Sequence, residues 1–160
     1  MRRNQRLDRI VFGLLLTLPS AASAGEQVRQ PGLVPYLVSN GGIAAPLTAT
    51  PGDPQRGQVV VAGRTQGNCL TCHRAPIPNE DFQGQIGPDL RGVGRRLSLA
   101  QLRLRVVDAR RQSPDSVMPP FYRTGDAVQV APAQAETPLL TAQQVEDVVS
   151  YLASLTETPP

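Results

Sequence analysis

The clearest periodic pattern of apolar residues lies near the end of the chain and predicts a helix. Thr141 and Gln144 have the spacing of a capping box, in which each side chain bonds the other residue's backbone N–H, so the helix should begin here. It is expected to run to about residue 155. Its apolar residues recur every three or four positions and would share one buried face; they are Val145, Val148, Val149, Leu152 and Leu155.

A helix is also predicted from residue 54 to about residue 62. Asp53 followed by Pro54 is typical of an N-cap and the first helical position. Gly57 and Val61 lie four residues apart and therefore on one face. A glycine inside a helix costs about 1 kcal/mol relative to alanine. Its presence here indicates close packing, which we expect to be against another helix.

A third helix is predicted from residue 99 to about residue 111. Ser98 is its expected N-cap, and Ser113 followed by Pro114 should end it. Its apolar stripe would consist of Leu99, Leu102 and Val106. The helix is also rich in arginine, and seven arginines lie between residues 91 and 111; they are Arg91, Arg95, Arg96, Arg103, Arg105, Arg110 and Arg111. Most of them are expected to form a solvated face.

Long segments rich in proline and glycine separate these helices. Residues 25–52 contain four prolines and show no helical period, so we expect an extended arm or loop that a partner could order. Residues 74–97 should form a long loop, and residues 114–140 a second irregular segment. The pattern as a whole predicts an all-α fold of three to four helices, with a single domain at residues 53–156.

The first 24 residues are typical of a secretory signal peptide. Four arginines precede an apolar stretch at residues 10–18, and Ala22-Ser23-Ala24 has the form of a cleavage site. The apolar stretch is too short to span a bilayer. The alternative is an uncleaved N-terminal anchor. A cleaved signal predicts a periplasmic protein that is not embedded in the membrane.

Loss of this segment would change the charge of the chain. It carries four of the 16 basic residues and one of the 13 acidic residues, which leaves 12 arginines against 12 carboxylates. The basic isoelectric point of the full sequence therefore gives no support to nucleic-acid binding.

The sequence has few aromatic residues, with only three Phe, three Tyr and no Trp. A domain of this size therefore needs another bulky group in its core, and a porphyrin would supply it.

The motif Cys69-Leu70-Thr71-Cys72-His73 has the C-x-x-C-H spacing of covalent haem attachment. Two cysteines at this spacing can each form a thioether to one porphyrin, and the histidine that follows then lies under the iron. The sequence contains two cysteines and one histidine. One haem c is therefore predicted, held by Cys69 and Cys72 with His73 as an axial ligand.

A C-x-x-C pair also occurs in redox dithiols and in zinc sites. The dithiol interpretation requires a strand before the motif and a βαβ setting, whereas here a capped helix precedes it. A zinc site requires four ligands, and the sequence offers only three soft ones near this motif.

Met118 is the candidate for the sixth iron ligand. Once Met1 has been removed with the signal, Met118 is the only methionine left, and the sequence has neither a second histidine nor a lysine. Methionine also serves as a core filler, but Val117-Met118-Pro119-Pro120 does not lie on an apolar helical stripe. Ligation by histidine and methionine would give a relatively high-potential electron carrier.

Gly87-Pro88-Asp89-Leu90 follows His73 by about 15 residues. Pro88 has no amide donor, but its carbonyl oxygen can accept a hydrogen bond from the Nδ1–H of His73, which would orient the imidazole ring and raise its basicity. The alternative is an ordinary turn. One or two of the arginines between residues 91 and 111 could pair with haem propionates, and others could steer a partner.

The order of these motifs resembles that of a class I monohaem cytochrome c. The resemblance covers about residues 53 to 156 and rests on the Gly57 and Val61 helix, CLTCH, GPDL, a Met in a proline-rich loop and a final helix with Tyr151-Leu152. It implies a class I cytochrome c-like fold around one covalently bound haem. The thioether roles fall on Cys69 and Cys72, and the axial roles on His73 and Met118.

A narrower resemblance is to the SoxX family, the monohaem subunits of SoxAX complexes in sulfur-oxidising bacteria. It lies in FQGQIGPDLRGVG, QLRLRVVDARR, VMPPFYRT and LTAQQVEDVVSYLASL, although this chain has two prolines after the Met where the family tends to have one. The resemblance implies a subunit of an L-cysteine S-thiosulfotransferase that couples thiosulfate to the carrier SoxYZ. A SoxA-like cytochrome would be its partner, and a diffusible periplasmic cytochrome c would take the electrons.

Two other functions remain open at this point. The chain could be a free-standing soluble cytochrome c that shuttles electrons without an obligate partner. It could also be a haem sensor, which would need an open sixth coordination site. The fold alone cannot separate these functions. Because both cysteines are used for haem attachment, the chain has no thiol left to hold a sulfur intermediate, which indicates an electron-accepting role.

Overall fold

The computed structural model describes residues 25–124 and 137–157, and within them it contains four α-helices and one small sheet. The predicted signal at residues 1–24 and part of the second irregular segment lie outside these residues. The elements are β1 (Glu26–Val28), β2 (Tyr36–Val38), α1 (Pro54–Ala62), α2 (Val93–Arg96), α3 (Leu99–Asp108) and α4 (Ala142–Ser154), with 3₁₀ turns at Cys69–Thr71 and Ala109–Arg111.

The capping residues named from the sequence begin the three long helices. The side chain of Asp53 accepts a hydrogen bond from the backbone of Arg56. Ser98 and Thr141 each form a complete capping box. These predictions are confirmed, except that α3 ends at Asp108, where the buried carboxylate accepts from the backbone of Arg110 and starts a 3₁₀ turn.

Helices α1 and α4 cross at Gly57, which confirms the predicted close packing of this glycine against another helix. A methyl group built on Gly57 would overlap the backbone carbonyl of Asp147 in α4. The crossing also carries an ion pair, because Arg56 donates two hydrogen bonds to the Asp147 carboxylate at 2.9 and 2.8 Å. This guanidinium holds the pKa of Asp147 below its usual value. The glycine lets the backbones approach, and the ion pair fixes the register of the two helices.

Replacing Gly57 with alanine is therefore expected to destabilise the haem-loaded protein. Alanine normally favours a helix, but here its methyl group would force the crossing apart, and overpacking of this kind costs about 1–3 kcal/mol. Urea unfolding measures the loss. The matched control is Val59→Ala on the same helix, since Val59 is exposed and its truncation should change stability by less than about 0.5 kcal/mol. Equal stability of the two variants would contradict this packing.

The core lies between α1, α3 and α4. The predicted stripe of α4 is confirmed, because Val145, Val148 and Val149 are almost fully buried. The predicted stripe of α3 is wrong at Leu99, which is 54% exposed, whereas Leu104 is buried. The first turn of α3 packs against the segment before α1 through Ala100, whose carbonyl oxygen accepts a hydrogen bond from the Ile43 amide, and this contact leaves Leu99 exposed.

One arginine of α3 also departs from the prediction of a solvated face. Arg103 is buried and donates hydrogen bonds to both carboxylate oxygens of Glu146 in α4, at 2.8 and 2.9 Å. It also bonds the carbonyl oxygen of Ile43. Because a buried charge is costly without a partner, this ion pair ties α3 to α4 and to the segment before α1.

Residues 25–52 differ most from their prediction as an extended arm or loop. Strands β1 and β2 pair antiparallel, with Gln27 opposite Leu37. Further along, Ile43 and Leu47 are buried in the core, and the Leu47 amide donates to the buried Glu146 carboxylate at 2.8 Å. The segment packs onto the helices through polar bonds of this kind, which join residues far apart in the sequence. Such bonds produce no periodic pattern in the sequence, so this packing was not predicted.

Helix α2 interrupts the loop predicted at residues 74–97. It begins after Gly92, whose φ of +68° lies in the left-handed region that favours glycine. Gly94 in its first turn lies so close to the backbone of Ala153 in α4 that a methyl group would overlap it. Within the described residues, no helix is long and apolar enough to cross a membrane.

Candidate haem site

The Cys69-to-His73 motif forms a tight turn directly after α1. Asn68 adopts a φ of +49°, and its side chain accepts a hydrogen bond from the Thr71 hydroxyl at 2.8 Å. The backbone amides of Cys72 and His73 both donate to the Cys69 carbonyl oxygen. Within this turn Leu70 is buried, while both cysteines are half-buried.

Three of the predicted site residues line one cleft between the helices. Cys69, His73 and Met118 border this central cleft, which has a cavity volume of about 40 Å³. The rest of its lining is apolar and comes from α1, α3, α4 and the segments between them; it consists of Val61, Leu90, Val106, Phe121, Leu140, Val148 and Leu152. Cys72 ends the same turn but is not among the residues that line the cleft.

The chemistry of this lining fits a haem. An imidazole nitrogen and a thioether sulfur are ligands that haem iron accepts, and the apolar walls suit a porphyrin face. Burial raises the pKa of the Cys69 thiol to about 11, so at neutral pH a free thiol here would be protonated. A redox dithiol instead requires a nucleophile with a lowered pKa.

The loop after the motif holds the His73 ring. The Nδ1 atom of His73 lies 2.8 Å from the Pro88 carbonyl oxygen, which is the geometry that the proposed orienting role requires. The loop itself is fixed to the turn, because the Gly84 amide donates to Leu70 and the Gly87 amide to Cys72. With Nδ1 used in this way, Nε2 is the ring nitrogen available to a metal.

Gly87, which the sequence marks only as part of the Gly87-Pro88-Asp89-Leu90 motif, also contributes to the site. A methyl group built on Gly87 would overlap the imidazole ring of His73. Gln83 was missed, and its side-chain amide bonds both the amide and the carbonyl oxygen of Ala75 at 2.8 and 3.0 Å. The only sign of this contact in the sequence is a glycine directly before Pro88, because glycine allows the backbone to approach the imidazole ring closely.

A Gly87→Ala variant is therefore expected to disturb the His73 ring. The added methyl group must displace either the ring or the loop, at a cost of about 1–3 kcal/mol. We expect a lower thermal unfolding midpoint and an altered absorption spectrum of the haem-loaded protein. Gln85→Ala in the same loop is the control, because Gln85 is exposed. Spectra that are unchanged in Gly87→Ala would contradict the close approach.

Met118 lies in an irregular segment, half-buried at the edge of the central cleft. Its amide donates to the Ser116 hydroxyl at 3.3 Å. Pro119 and Pro120 follow, each with a fixed φ and no amide donor. The Phe121 amide then bonds the Val106 carbonyl oxygen at the end of α3. Two stiff residues therefore connect Met118 to a tethered point.

The arginines between residues 91 and 111 have several different environments. Arg91 pairs with Asp89, and Arg96 donates to two backbone carbonyl oxygens. Arg110 and Arg111 lie near the buried Asp108. Arg95 and Arg105 are exposed, as the solvated-face prediction expected. Pairing of any of them with haem propionates stays a prediction.

Comparisons with known proteins agree with this geometry. The family model for cytochrome c matches residues 55–156. A chain of the crystal structure of SoxXA from P. pantotrophus is 36% identical and superimposes with a TM-score of 0.72, which covers 76% of this chain and 95% of that one.

A curated relative, the probable septum site-determining protein MinC of Thermosynechococcus vestitus, is 27% identical over 155 residues. That match covers 80% of this chain but only 56% of the relative, so the chain spans just over half of that protein's length. An identity this low does not show a shared family.

The family-model match covers more than half of the chain, and the SoxXA match exceeds a third in identity over most of both chains. A cytochrome c domain carries covalently attached haem c, which agrees with the cysteine and histidine turn on the wall of an apolar cleft. The chain belongs to the cytochrome c family and, within it, is a SoxX-type class I cytochrome c.

Proposed function

We propose that this chain is the electron-accepting haem c subunit of a SoxAX-type L-cysteine S-thiosulfotransferase. The observation that carries the proposal is the convergence of Cys69, His73 and Met118 on one apolar cleft, in a chain 36% identical to one in SoxXA. One haem would be attached through thioethers to Cys69 and Cys72. A haem in this setting supplies one-electron ferric–ferrous chemistry.

His73 and Met118 would be the two iron ligands that this chain supplies. His73 would bind the iron through Nε2, while the Pro88 carbonyl oxygen accepts from Nδ1–H and fixes the tautomer. Met118 would bind on the other side through its sulfur atom. A soft thioether favours the ferrous state and so raises the reduction potential, which suits a subunit that must accept electrons.

The reaction assigned to the complex forms a sulfur–sulfur bond between thiosulfate and a cysteine thiol of the carrier SoxYZ. That coupling releases one proton and two electrons. Both cysteines of this sequence are used for haem attachment, so the sulfur must be held by a partner, for which a SoxA-like cytochrome is the candidate. The present chain would accept the electrons singly and pass them to a diffusible cytochrome c.

The domain organisation is part of the same proposal. Residues 1–24 would be a cleaved signal peptide, and the cytochrome domain would work in the periplasm, where thioethers form on an exported chain. Residues 25–52, described above as packed against the helices, would then be part of the folded unit and not a separate arm.

Exposed apolar residues in the loop after the Cys69-to-His73 turn, and next to Met118, favour a docked subunit over a free shuttle. Phe82 is 91% exposed and Ile86 is 73% exposed, and both lie in the loop tethered to the Cys69-to-His73 turn. Val117, the neighbour of Met118, is 82% exposed. A transient shuttle needs only a small contact, whereas exposed apolar residues in the loop after the Cys69-to-His73 turn and next to Met118 suit a stable partner.

Purification from the native host grown on thiosulfate tests this proposal. A tagged chain is expected to retain a stoichiometric second c-type cytochrome at moderate salt, and the pair should show thiosulfate-dependent haem reduction when the carrier is added. The variant Phe82→Asp combined with Ile86→Asp should lose the partner, while Val59→Asp, a charge at an exposed apolar residue of α1, should keep it. A haem-loaded monomer without a partner at any salt would favour the free shuttle.

A further inference from the structure

A buried carboxylate lies behind the Met118 segment. Asp108, the last residue of α3, has 1% of its surface exposed. Its Oδ2 atom accepts a hydrogen bond from Arg123 Nη1 at 2.9 Å, and Arg110 and Arg111 approach it at 3.5 and 3.9 Å. Because a buried carboxylate is costly without cationic partners, Asp108 holds Arg123, and with it the chain that follows Met118, against the end of α3.

The same chain is also tied to the carbonyl groups that end α3. The amides of Phe121 and Tyr122 donate to the carbonyl oxygens of Val106 and Val107, at 3.3 and 3.2 Å. The last carbonyls of a helix have no partner within the helix, so these two bonds satisfy them. Phe121 and Val106 both line the central cleft, which places this tether at the wall that Met118 shares.

On its other side, the chain is tied to residues 26–38, which we call the N-terminal hairpin. The Tyr122 hydroxyl accepts a hydrogen bond from the Val34 amide at 2.9 Å, and the Thr124 amide donates to the Gln30 side chain at 3.0 Å. Glu26 in β1 pairs with Arg111, beside Asp108, at 2.8 Å. The hairpin therefore contacts both the chain after Met118 and the arginines around Asp108.

The two prolines between Met118 and this tethered chain make the connection stiff. Residues 119 and 120 have no amide hydrogen to bond elsewhere, and their φ angles are fixed by the ring. Because the two prolines can change their conformation only a little, a movement of Phe121 would also move Met118. Met118 has no longer-range tether of its own among the hydrogen bonds above, since its amide bonds only the nearby Ser116.

We propose that Asp108, Tyr122 and the N-terminal hairpin position Met118 and so set the strength of its bond to the haem iron. The inference rests on the proposed function, in which Met118 is the sixth ligand. These are positioning residues, because they act through the segment 118–123 and lie away from the axial pair. The N-terminal hairpin therefore does more than complete the core. Its hydrogen bonds to Tyr122 and Thr124 fix the segment that carries the sixth ligand.

The test uses the full haem-loaded protein and measures how easily imidazole displaces the thioether from the ferric iron. Asp108→Asn is expected to increase the apparent affinity for imidazole about tenfold, which corresponds to the loss of one charge-assisted hydrogen bond. Tyr122→Phe, which keeps the ring and removes only the hydroxyl, should increase it about threefold, as for one neutral hydrogen bond. The near-infrared thioether–iron band should weaken in both variants.

Asp147→Asn is the matched control. Asp147 is also a buried carboxylate paired with an arginine, but it lies at the crossing of α1 and α4. It should lower stability without changing imidazole affinity. Equal affinity in wild type, Asp108→Asn and Tyr122→Phe, or an equal increase in Asp147→Asn, would overturn the positioning role. Absence of the band in the wild type would instead remove Met118 as a ligand, and both the axial assignment and this inference would fall.

Discussion

A chain in which Cys69 and Cys72 are both replaced by serine is expected to carry no covalent haem. The sequence has no other cysteine that could form a thioether. Serine is close to cysteine in size, so the turn that both residues occupy can still form. Mass spectrometry of the purified chain should show the loss of the haem mass, and denaturing gels should lose haem-dependent staining.

The same variant should also be much less stable. The central cleft is lined by apolar side chains from three helices, and without a bound porphyrin these side chains would meet water or collapse on one another. Burying an apolar side chain stabilises a protein by about 1.5–3 kcal/mol, so exposure of several would remove much of the 5–15 kcal/mol by which a typical domain is stable. We therefore expect little soluble protein.

Thr71→Ala is the control for this experiment. Thr71 lies between the two cysteines and is exposed, so its truncation preserves the spacing of the motif and should leave one haem attached. Each single cysteine variant should retain one thioether and a labile haem. Covalent haem in the double variant, or a fully folded haem-free chain, would contradict the assignment.

Replacement of Met118 by alanine is expected to change the haem without removing it. The covalent attachment and His73 would remain, while the sixth position would open to water or added ligands. The near-infrared thioether–iron band should disappear. The midpoint potential should fall by roughly 0.2 V, a fraction of the approximately 0.8 V range over which axial ligands set haem potentials. Spectroscopy and redox titration of the purified protein measure both effects.

Val117→Ala provides the comparison for Met118→Ala. Val117 is the neighbouring residue and is 82% exposed, so its truncation alters the segment without altering the proposed ligand. Its band and potential should match those of the wild type. A wild-type ferric spectrum that already lacks the band, and that is unchanged in Met118→Ala, would instead indicate an open sixth site and a ligand-binding haem protein.

The helices that could be predicted from the sequence are those whose signals are local. The N-cap at Ser98, the capping box at Thr141 and the apolar stripe of α4 act within a few residues of one another, so the structure follows them closely. Gly57 is a related case, because a glycine in an otherwise helical pattern implies close approach even before the neighbour is known. The neighbour proved to be the backbone of Asp147.

The parts that could not be predicted depend on contacts between residues far apart in the chain. Residues 25–52 read as an irregular arm, yet Ile43 and Leu47 are buried there, because Arg103 and Glu146 bond their backbones. Burial of Arg103 itself could not be inferred from a helix full of arginines. Residues 93–96 form a helix in which Gly94 packs on the backbone of Ala153 in α4, a contact that no periodicity reveals.

The candidate site could be predicted mainly because the sequence contains few residues that can bind haem. With two cysteines, one histidine and one methionine outside the predicted signal, few ligand sets were possible, and Cys69, His73 and Met118 do meet at one cleft. The supporting roles of other residues were missed for a physical reason. Gly87 acts by leaving space beside an imidazole, and Asp108 acts across a gap of 15 residues to Arg123, so neither leaves a motif.

Following the haem of this chain during thiosulfate coupling tests whether this subunit accepts the electrons. In the purified complex, the near-infrared band would be assigned to this haem by its absence from the Met118→Ala complex, and then monitored after thiosulfate and the carrier are added. We expect the band to disappear, as the iron becomes ferrous, while the carrier gains its sulfur adduct. An adduct that forms at full rate while the band persists would contradict an electron-accepting role for this subunit.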